Sequence, residues 1–458
     1  MAITKRTFES VVGTRFHIGQ HLFLLLLLTA IYEIAVVSFA DYPLTSNRYL
    51  ADPAGLEYNG RLYLYCSNDD DNTGNSYQMK SIACISTDDL KNWTDHGEVF
   101  RVPADASWAT YSWAPSVVFR NSKFYLYFGN NVSSIGVASS TSPTGRFKDA
   151  KGGYLVNSST PGASGTSQFY FDPCAFVDSS GQAYLYFGGN NASNARVIKL
   201  NSDMISVSGS ATGFGSIPNF LEAAYMHKRN STYYFSYETG GSVGQWIRYG
   251  TSSSPTSGFT WQGNVLQAPS NGNNNHQSFV SFNGVWYVAY HNRFVSGRSV
   301  YRRNVCLDRV NFNSDGTMQI VSCTTDNLVQ LKNVNPYVQV QAETFNAQSG
   351  IETDVAGEGA MKLVSIANGD WVRIRGVDFG SSTPRTFSAR VYSSATGGLI
   401  ELRLGSTTGA LIGTCTIPNT NGSWATASTS VNSVTGVQDL YLRFTGAFGG
   451  ITWWQFSR

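Results

Sequence analysis

One pattern of apolar and polar positions recurs five times along the first two thirds of the chain. In each copy, a short run rich in apolar residues leads to a turn, and a run in which Tyr and Phe alternate with other residues follows. This pattern predicts a β-hairpin made of a half-buried strand, a tight turn and an aromatic strand. The copies are ADPAGLEYNGRLYLY (51–65), WAPSVVFRNSKFYLYFG (113–129), FDPCAFVDSSGQAYLYFGG (171–189), LEAAYMHKRNSTYYFSY (221–237) and NHQSFVSFNGVWYVAY (275–290).

The spacing of these copies predicts the architecture of this part of the chain. Repeats of roughly 50–60 residues that contain only strands are typical of propeller blades. We therefore predict an all-β protein without long helices, in which residues 41–333 form a five-bladed β-propeller. The turns of the five hairpins begin at Asn59, Asn121, Ser180, Asn230 and Asn283.

Residues 334–458 follow a different pattern, in which short alternating strands are separated by glycine-rich turns. About 120 residues of this kind predict a β-sandwich of the jelly-roll type. The linker 332–336 is short, so we expect the sandwich to pack against the propeller. No carboxylates recur in strand register here, and we expect a non-catalytic role.

The head of the first strand in each hairpin carries the candidate chemistry. The innermost strand of every propeller blade lines the central channel, so the aligned positions are predicted to face one shared space. Three carboxylates and a histidine in register are unexpected in a chain with only 14% charged residues. The alternative is that each acid only caps the turn before its strand. The aligned residues are Asp52, Ala114, Asp172, Glu222 and His276.

Composition narrows the class of ligand. The formal net charge is +2, and the chain holds 10 Trp, 25 Tyr and 27 Phe. A nearly neutral chain without a long basic run gives no reason to expect a nucleic-acid partner. Aromatic surfaces with few charges suit neutral ligands, among which sugars come first.

The N-terminus has the pattern of a targeting segment. Basic residues precede the apolar run 22–28, and Ser38-Phe39-Ala40 offers a cleavage site of the small-x-small type. We predict a signal peptide over residues 1–40 and a secreted, extracellular protein without stable membrane association. A signal anchor is the alternative, because residues 22–40 nearly suffice to cross a bilayer, although Glu33 interrupts them.

Six cysteines are compatible with an oxidising compartment. We expect two cross-strand disulfides, Cys66–Cys84 and Cys306–Cys323, and surface loops at the N-x-Ser/Thr sequons if the host glycosylates them. The sequons begin at Asn92, Asn131, Asn157, Asn191, Asn230 and Asn421.

The first part of the chain resembles glycoside hydrolase family 43, and within it the arabinoxylan arabinofuranohydrolases. The resemblance spans essentially residues 48–325 and rests on LADPAGLEYNGRLYLY, NWTDHG, SWAPSVVFRNSKFYLY, SPTGRFKDA, FDPCAFVDSSGQAYLYFGG, the pair Glu222-Ala223, NHQSFVSFNG and YRRNVCLDR. Residues 338–458 resemble carbohydrate-binding module family 6 through QAETFNAQSGIE, NGDWVRIRGVDFG, SVTGVQDLYLRFTG and WWQFS.

The resemblance implies removal of α-L-arabinofuranosyl side chains from arabinoxylan with inversion of configuration. It assigns Asp52 as the general base that activates water and Glu222 as the general acid. Asp172 would orient Glu222 and raise its pKa by like-charge proximity. Acetal cleavage needs one protonated and one ionised carboxyl, and a separation of roughly 6.5–9.5 Å leaves room for the water.

The resemblance also gives roles to residues around the acids. His276 would help to hold a calcium ion or a water in the channel, or be structural. Asn275, Arg302 and Arg303 match positions that contact the bound arabinose or the acids, although a solvated or salt-bridged arginine pair is the alternative. Trp113 would stack on the sugar, or pack in the core.

The chemistry needs no cofactor, and calcium is expected only in a structural role. Glu343 matches the position that holds a structural calcium in the binding module. The loop 68–72, rich in Asp and Asn, lacks the spacing of an EF-hand and is predicted to be a solvated rim loop.

Three other functions stay open at this stage. The same fold could support a β-xylosidase or an arabinanase, and a non-catalytic propeller could use the acids only to recognise sugar. In every case the partner is a polysaccharide such as arabinoxylan or xylan, and we expect a monomer.

Overall fold

A computed structural model describes residues 43–458 except 75, 241–243, 268–273, 294–299, 324–327 and 358–359. The predicted signal peptide therefore lies outside the described residues. The described chain is all-β, and its single helical element is the 3₁₀ turn Asp69–Asp71. This confirms the all-β prediction.

The described part of the chain up to residue 309 contains twenty strands. They are β1 (Leu50–Tyr58), β2 (Arg61–Asn68), β3 (Ser81–Thr87), β4 (Trp93–Arg101), β5 (Trp113–Arg120), β6 (Lys123–Asn130), β7 (Ser134–Ser140), β8 (Lys148–Asp149), β9 (Val156–Asn157), β10 (Cys174–Val177), β11 (Ala183–Phe187), β12 (Arg196–Leu200), β13 (Val207–Gly213), β14 (Phe220–Arg229), β15 (Thr232–Thr239), β16 (Trp246–Ser252), β17 (Thr260–Gln267), β18 (Ser278–Phe282), β19 (Val285–Asn292) and β20 (Asn304–Arg309).

These strands form five antiparallel sheets that follow one another along the chain. The first four sheets run β1 to β4, β5 to β8 with β9 beside β7, β10 to β13, and β14 to β17, and the fifth is β18 to β20. Each sheet begins with one of the predicted hairpins. At the turns, Asn59-Gly60 and Asn283-Gly284 have positive φ at both residues, as tight hairpin turns require.

The first strands of the five sheets lie side by side. Strand β1 packs against β5, β5 against β10, β10 against β14, and β14 against β18, while β1 also contacts β18. The N–H of Leu44 donates to the carbonyl of Val305 in β20, so the start of the described chain lies beside the last strand of the fifth sheet. All five strand heads are therefore gathered in one region.

The remaining twelve strands belong to the C-terminal part. They are β21 (Val340–Gln341), β22 (Thr344–Phe345), β23 (Ala347–Ser349), β24 (Glu352–Val355), β25 (Met361–Val364), β26 (Trp371–Asp378), β27 (Thr386–Tyr392), β28 (Gly398–Leu404), β29 (Leu411–Ile417), β30 (Trp424–Ser430), β31 (Val437–Thr445) and β32 (Gly450–Ser457).

Two antiparallel sheets of this part face one another as a β-sandwich. One sheet runs β23-β26-β31-β28-β29, and the other runs β24-β25-β32-β27-β30 with β21 beside β32. A single buried cluster joins them, with Ile400 and Leu442 from the first sheet and Phe387 and Trp454 from the second. The alternation of inward apolar residues along these strands explains the arrangement.

The two parts are joined by hydrogen bonds as well as by the linker. Strand β22 pairs with β4 and so extends the first sheet. The side chain of Asn92 donates to the carbonyl of Arg375 at 2.9 Å and accepts from its N–H at 2.8 Å. The hydroxyl of Thr353 donates to Asp95 at 2.6 Å. The C-terminal part is therefore packed against the first sheet.

The predicted disulfide Cys66–Cys84 is wrong because of strand register. Cys66 lies opposite Ala83, whereas Cys84 lies opposite Tyr65, so the two thiols point to opposite faces of the sheet. Cys306 and Cys323 are also free thiols, the first buried and the second exposed. The chain between them turns back on itself and pairs only around Phe312 and Met318.

One sequon is buried. Asn92 is only 3% exposed and binds Arg375, because it directly precedes β4, which packs against the C-terminal part. The folded protein therefore hides this asparagine from modification.

The part of the chain that the structure describes contains no helix long and apolar enough to cross a membrane.

Candidate active site

The gathered strand heads enclose a cavity of about 210 Å³. Its walls combine carboxylates, one guanidinium, one imidazole and several aromatic rings. The lining residues are Asp52, Tyr77, Met79, Trp113, Ala114, Val132, Phe169, Phe171, Asp172, Glu222, Asn274, His276 and Arg303. The structure thus brings together all five strand-head residues that the sequence pattern aligned.

Backbone conformation corrects the alignment of one of them. The strand heads share a left-handed residue, with φ of 50° at Asp52, 41° at Ala114, 48° at Asp172 and 57° at Ala223. Irregular pairing follows this residue in the first, second and fourth sheets. Ala223, not Glu222, is therefore the true counterpart of Asp52.

Glu222 reaches the cavity from the preceding position, which Trp113 and Phe171 occupy in their own sheets. A left-handed non-glycine residue followed by a bulge turns the backbone sharply. Side chains at both positions consequently face the cavity in the second and third sheets, and a strict repeat alignment cannot distinguish them.

Asp52 is held by a buried guanidinium. Arg303 donates to both carboxylate oxygens of Asp52, at 2.7 and 3.2 Å, and both residues are almost fully buried. Burial alone would raise the pKa of Asp52. The charge of Arg303, with smaller effects of His276, His291 and a Ser67 hydrogen bond, instead lowers this pKa to about 2.

Asp69 anchors the other side of Arg303. Its carboxylate accepts from the backbone N–H, Nε and Nη2 of Arg303 at 2.8–2.9 Å, and its side chain is fully buried. The prediction that the loop 68–72 is a solvated rim loop is therefore wrong at Asn68, Asp69 and Asn72, which are at most 1% exposed. A run of Asp and Asn looks solvated in sequence, and only the distant Arg303 explains its burial.

The other two acids lack such a cation. None of the ion pairs between described residues joins Asp172 or Glu222 to a lysine or arginine. Burial raises the pKa of Glu222, and burial followed by the charge of Glu222 raises the pKa of Asp172 further. Because two neighbouring buried carboxyls repel each other when both are ionised, the site favours protonated carboxyls here and an ionised carboxylate at Asp52.

Asp172 acts on the neighbour of Glu222 through the backbone. The N–H of Ala223 donates to Asp172 Oδ2 at 3.1 Å. This bond ties the strained residue next to Glu222 to the third acid, which fits an orienting role. Like-charge repulsion between Asp172 and Glu222 acts on both carboxyls and, after burial, raises the pKa of Asp172.

Two histidines surround Asp52. His276 Nδ1 lies 3.9 Å from Asp52 Oδ1 and 3.8 Å from Asp172 Oδ2, and burial lowers the pKa of His276. His291 accepts the N–H of Asp52 at 3.2 Å, and burial lowers the pKa of His291 to about 3. Neutral imidazoles therefore pack against the left-handed turn. Sequence reasoning missed His291, which stands at the end of β19.

The remaining predicted contact residues divide into two groups. Trp113 lines the cavity with its ring at an edge-on angle to Tyr77. Asn275 is fully buried and does not line the cavity, whereas its neighbour Asn274 does. Arg302 also lies outside the lining and donates to the carbonyl of Asn72 at 3.3 Å. The sequence analysis therefore named Asn275, whereas the asparagine at the cavity is Asn274, one residue earlier.

Glu343 lies between β21 and β22, away from this cavity. Its carboxyl is buried, Oε2 has no hydrogen-bond partner among the described residues, and burial raises its pKa to about 8. The nearby Thr452 hydroxyl is likewise buried without a partner there. A buried carboxyl with an unpaired oxygen is compatible with a site for a hard cation, which is the role that the resemblance implies for Glu343.

A larger cavity of about 690 Å³ lies at the junction of the two parts. Its acid Asp88 pairs with Arg61 and Lys332, and Asp89 binds the backbone of its own loop. Asp88 is thus paired with cations, unlike Asp172 and Glu222 at the strand heads. We therefore assign the chemistry to the smaller cavity.

Sequence profiles of two families match the chain. Glycosyl hydrolases family 43 matches residues 41–318, and carbohydrate binding module family 6 matches residues 341–458. An arabinoxylan arabinofuranohydrolase of Bacillus subtilis is 38% identical to this chain over 476 aligned residues, which cover 91% of this chain and 92% of that protein.

Solved structures give the same picture. A family 43 arabinoxylan arabinofuranohydrolase from Bacillus subtilis, in complex with cellotetraose, superposes with a TM-score of 0.85 at 36% identity, covering 91% of this chain and 97% of that one. An α-L-arabinofuranosidase from Clostridium thermocellum is 53% identical, with a TM-score of 0.57, and covers 64% of this chain and 100% of that one.

Substitution of Arg303 tests the electrostatics of this site. A single ammonium cannot bridge two carboxylates as a guanidinium fork does. We therefore expect Arg303→Lys to raise the pKa of Asp52 by about one unit or more. Carboxyl ¹³C NMR of Asp-labelled protein would follow the titration, with Arg302→Lys as the matched control. An Asp52 titration unchanged in Arg303→Lys would contradict this account.

Proposed function

Since the chain belongs to glycosyl hydrolases family 43, we propose that it removes α-L-arabinofuranosyl side chains from arabinoxylan with inversion of configuration. In this proposal Asp52 is the general base, Glu222 the general acid and Asp172 the residue that orients Glu222. The substrate is proposed from the two similar enzymes named for arabinoxylan or α-L-arabinofuranose.

One observation carries the assignment of roles. The environments of Asp52 and Glu222 push their pKa values apart, to about 2 for Asp52 and above the ordinary value for Glu222. Acetal hydrolysis by inversion needs one ionised carboxylate to activate water and one carboxylic acid to protonate the leaving oxygen. The pair therefore has the two protonation states that the reaction requires.

The size and walls of the cavity support the removal of single side-chain sugars. Its volume of about 210 Å³ is below the roughly 300–1,000 Å³ typical of sites for drug-sized ligands. Trp113, Tyr77 and Phe171 provide apolar faces between the acids. Such a cavity suits one pentose ring better than a polysaccharide chain.

We infer that the five sheets are the blades of a five-bladed propeller, with Asp52, Asp172 and Glu222 contributed by the first, third and fourth blades. The boundaries at residues 40 and 333, secretion and a monomeric state remain part of the same proposal. The C-terminal sandwich would hold the enzyme on its polysaccharide or brace the first sheet.

Calcium is proposed at Glu343 in a structural role. Among the described residues, no cluster of three or more His, Cys, Asp and Glu side chains is placed to hold a metal. Further ligands to calcium would therefore be hydroxyl or carbonyl oxygens, which calcium accepts readily. A calcium ion held with His276 in the channel also remains a prediction.

Calcium should raise the thermal unfolding midpoint of the protein through Glu343. Because the pKa of Glu343 is about 8, binding below that pH must displace a proton. We therefore expect a larger shift at pH 8 than at pH 6, and none in Glu343→Gln. The matched control is Glu352→Gln, an exposed carboxylate of the sandwich. Equal shifts in wild type and Glu343→Gln would rule out this site.

Replacement of the two proposed catalytic acids tests the function itself. We expect Asp52→Asn and Glu222→Gln each to lower arabinose release from arabinoxylan by about 10²-fold or more, since acid–base groups contribute on this scale. Chromatography of released sugars would measure the rate, and circular dichroism would confirm folding. The control is Asp203→Asn, an exposed carboxylate.

Two results would overturn the proposal. Either variant keeping more than about a tenth of the wild-type rate would remove that residue from the mechanism, since the expected loss is far larger. Release of xylose rather than arabinose from xylo-oligosaccharides by the wild type would favour a β-xylosidase.

A further inference from the structure

A histidine outside the repeated motif lies directly behind the proposed general base. His291 stands near the end of β19, is only 1% exposed and does not line the cavity. Its ring contacts Asp52 through Nδ1 and Asn274 through Nε2. Asp52 and Asn274 both line the cavity. The ring therefore bridges two residues of the cavity wall without entering the space for the substrate.

The partner of Nδ1 determines where the ring of His291 carries its proton. A backbone N–H can only donate, so Nδ1, which accepts the N–H of Asp52 at 3.2 Å, holds no proton. Burial, followed by the charge of Arg303, lowers the pKa of His291 to about 3, although the charge of Asp52 opposes this. The ring is therefore neutral in neutral solution, and its single proton is on Nε2.

The Nε2–H of His291 has two acceptors, and both belong to Asn274. The backbone carbonyl oxygen lies 3.2 Å from Nε2, and the side-chain oxygen Oδ1 lies 3.1 Å from it. An N–H donor must face the oxygen of an amide and not its NH₂ group. The Asn274 amide is therefore oriented with Oδ1 towards His291 and with Nδ2 directed elsewhere.

The other contacts of this segment agree with that orientation. The side chain of Asn274 hydrogen-bonds Glu222 and lowers the pKa of this carboxyl. An amide has this effect by donating to the ionised carboxylate, so Nδ2 is the atom that faces Glu222. The next N–H, that of Asn275, donates at 2.9 Å to Glu238, a fully buried acid opposite Glu222 in the sheet. Both residues of the segment are thus fixed.

We propose that His291 is a positioning residue that uses its Nε2–H to orient the Asn274 amide, so that Nδ2 faces Glu222, while its Nδ1 holds the backbone turn at Asp52. This inference rests on the proposed function, in which Asp52 is the general base and Glu222 the general acid. One imidazole then fixes the geometry of both groups. The N–H groups of Asn274 also stabilise the carboxylate that remains when Glu222 has given up its proton.

Two substitutions separate the two contacts of the ring. An asparagine side chain reaches only as far as Nδ1, so His291→Asn keeps an acceptor for Asp52 and loses the donor to Asn274. A glutamine side chain reaches as far as Nε2, so His291→Gln keeps that donor and loses the acceptor. The measurement is kcat/KM for arabinose release from an arabinosylated xylo-oligosaccharide. We expect each variant to lose about tenfold, the scale of one hydrogen bond.

Combination with Asn274→Ala distinguishes positioning from a general loss of structure. If His291→Asn acts through the Asn274 amide, the double variant should be no slower than Asn274→Ala alone, within about twofold. The loss in His291→Gln acts through Asp52 and should multiply with that of Asn274→Ala. The matched control is His227→Asn on β14, a buried histidine whose ring nitrogens have no hydrogen-bond partner among the described residues. Its kinetics should match wild type.

Each other outcome overturns a defined claim. Multiplied losses of His291→Asn and Asn274→Ala would make His291 merely structural, and unchanged kinetics would remove its role altogether. If the wild type releases no sugar, the proposed function fails. In that case, or if the variants do not fold, ¹⁵N NMR of His-labelled wild type and Asn274→Ala decides the positioning. The His291 proton should be on Nε2, and Asn274→Ala should shift this resonance. A proton on Nδ1 or an unmoved resonance would reject the proposal.

Discussion

The constraint on which this structure depends is the burial of five carboxyl groups, of which only two are bound by a guanidinium among the described residues. Arg303 is almost fully buried and satisfies Asp52 and Asp69 together. A guanidinium fork can serve two carboxylates at once, and its removal would leave both buried charges unpaired. Glu222, Asp172 and Glu238 receive no comparable partner among the described residues. Their burial therefore favours the protonated form, and the uneven distribution of one cation creates both an acid and a base.

Backbone strain places these groups. Residues other than glycine that adopt the left-handed backbone conformation each cost of order 1–3 kcal/mol. Here they recur at the heads of four sheets, at Asp52, Ala114, Asp172 and Ala223. Hydrogen bonds hold three of them: the N–H groups of Asp52, Ala114 and Ala223 donate to His291, Ser67 and Asp172, respectively. In the fourth sheet, the strained residue is thus held by an acid of the proposed site.

More of the architecture than of the candidate site could be predicted from the sequence. Turn residues such as Asn59-Gly60 and aromatic alternation determine the hairpins locally, so all five were recognised. Asp52 and Asp172 followed from the repeat. The alignment of Glu222 with Asp52 was one residue off, because a bulge breaks the strict periodicity of the strand. Asp69, Glu238 and His291 had no local signal, because their burial depends on partners such as Arg303, 234 residues from Asp69 in sequence. For the same reason the register that separates Cys66 from Cys84 could not be read locally.

Proton NMR of the sugar first released from arabinoxylan by the purified protein tests the central claim most directly. An ionised base and a protonated acid on opposite faces of the sugar predict inversion. Arabinose should therefore appear first as the β anomer, opposite to the α linkage of the substrate, and then mutarotate. Arabinose appearing first as the α anomer would require a covalent intermediate and contradict the roles given to Asp52 and Glu222. Absence of any released sugar would contradict the assignment of an active site.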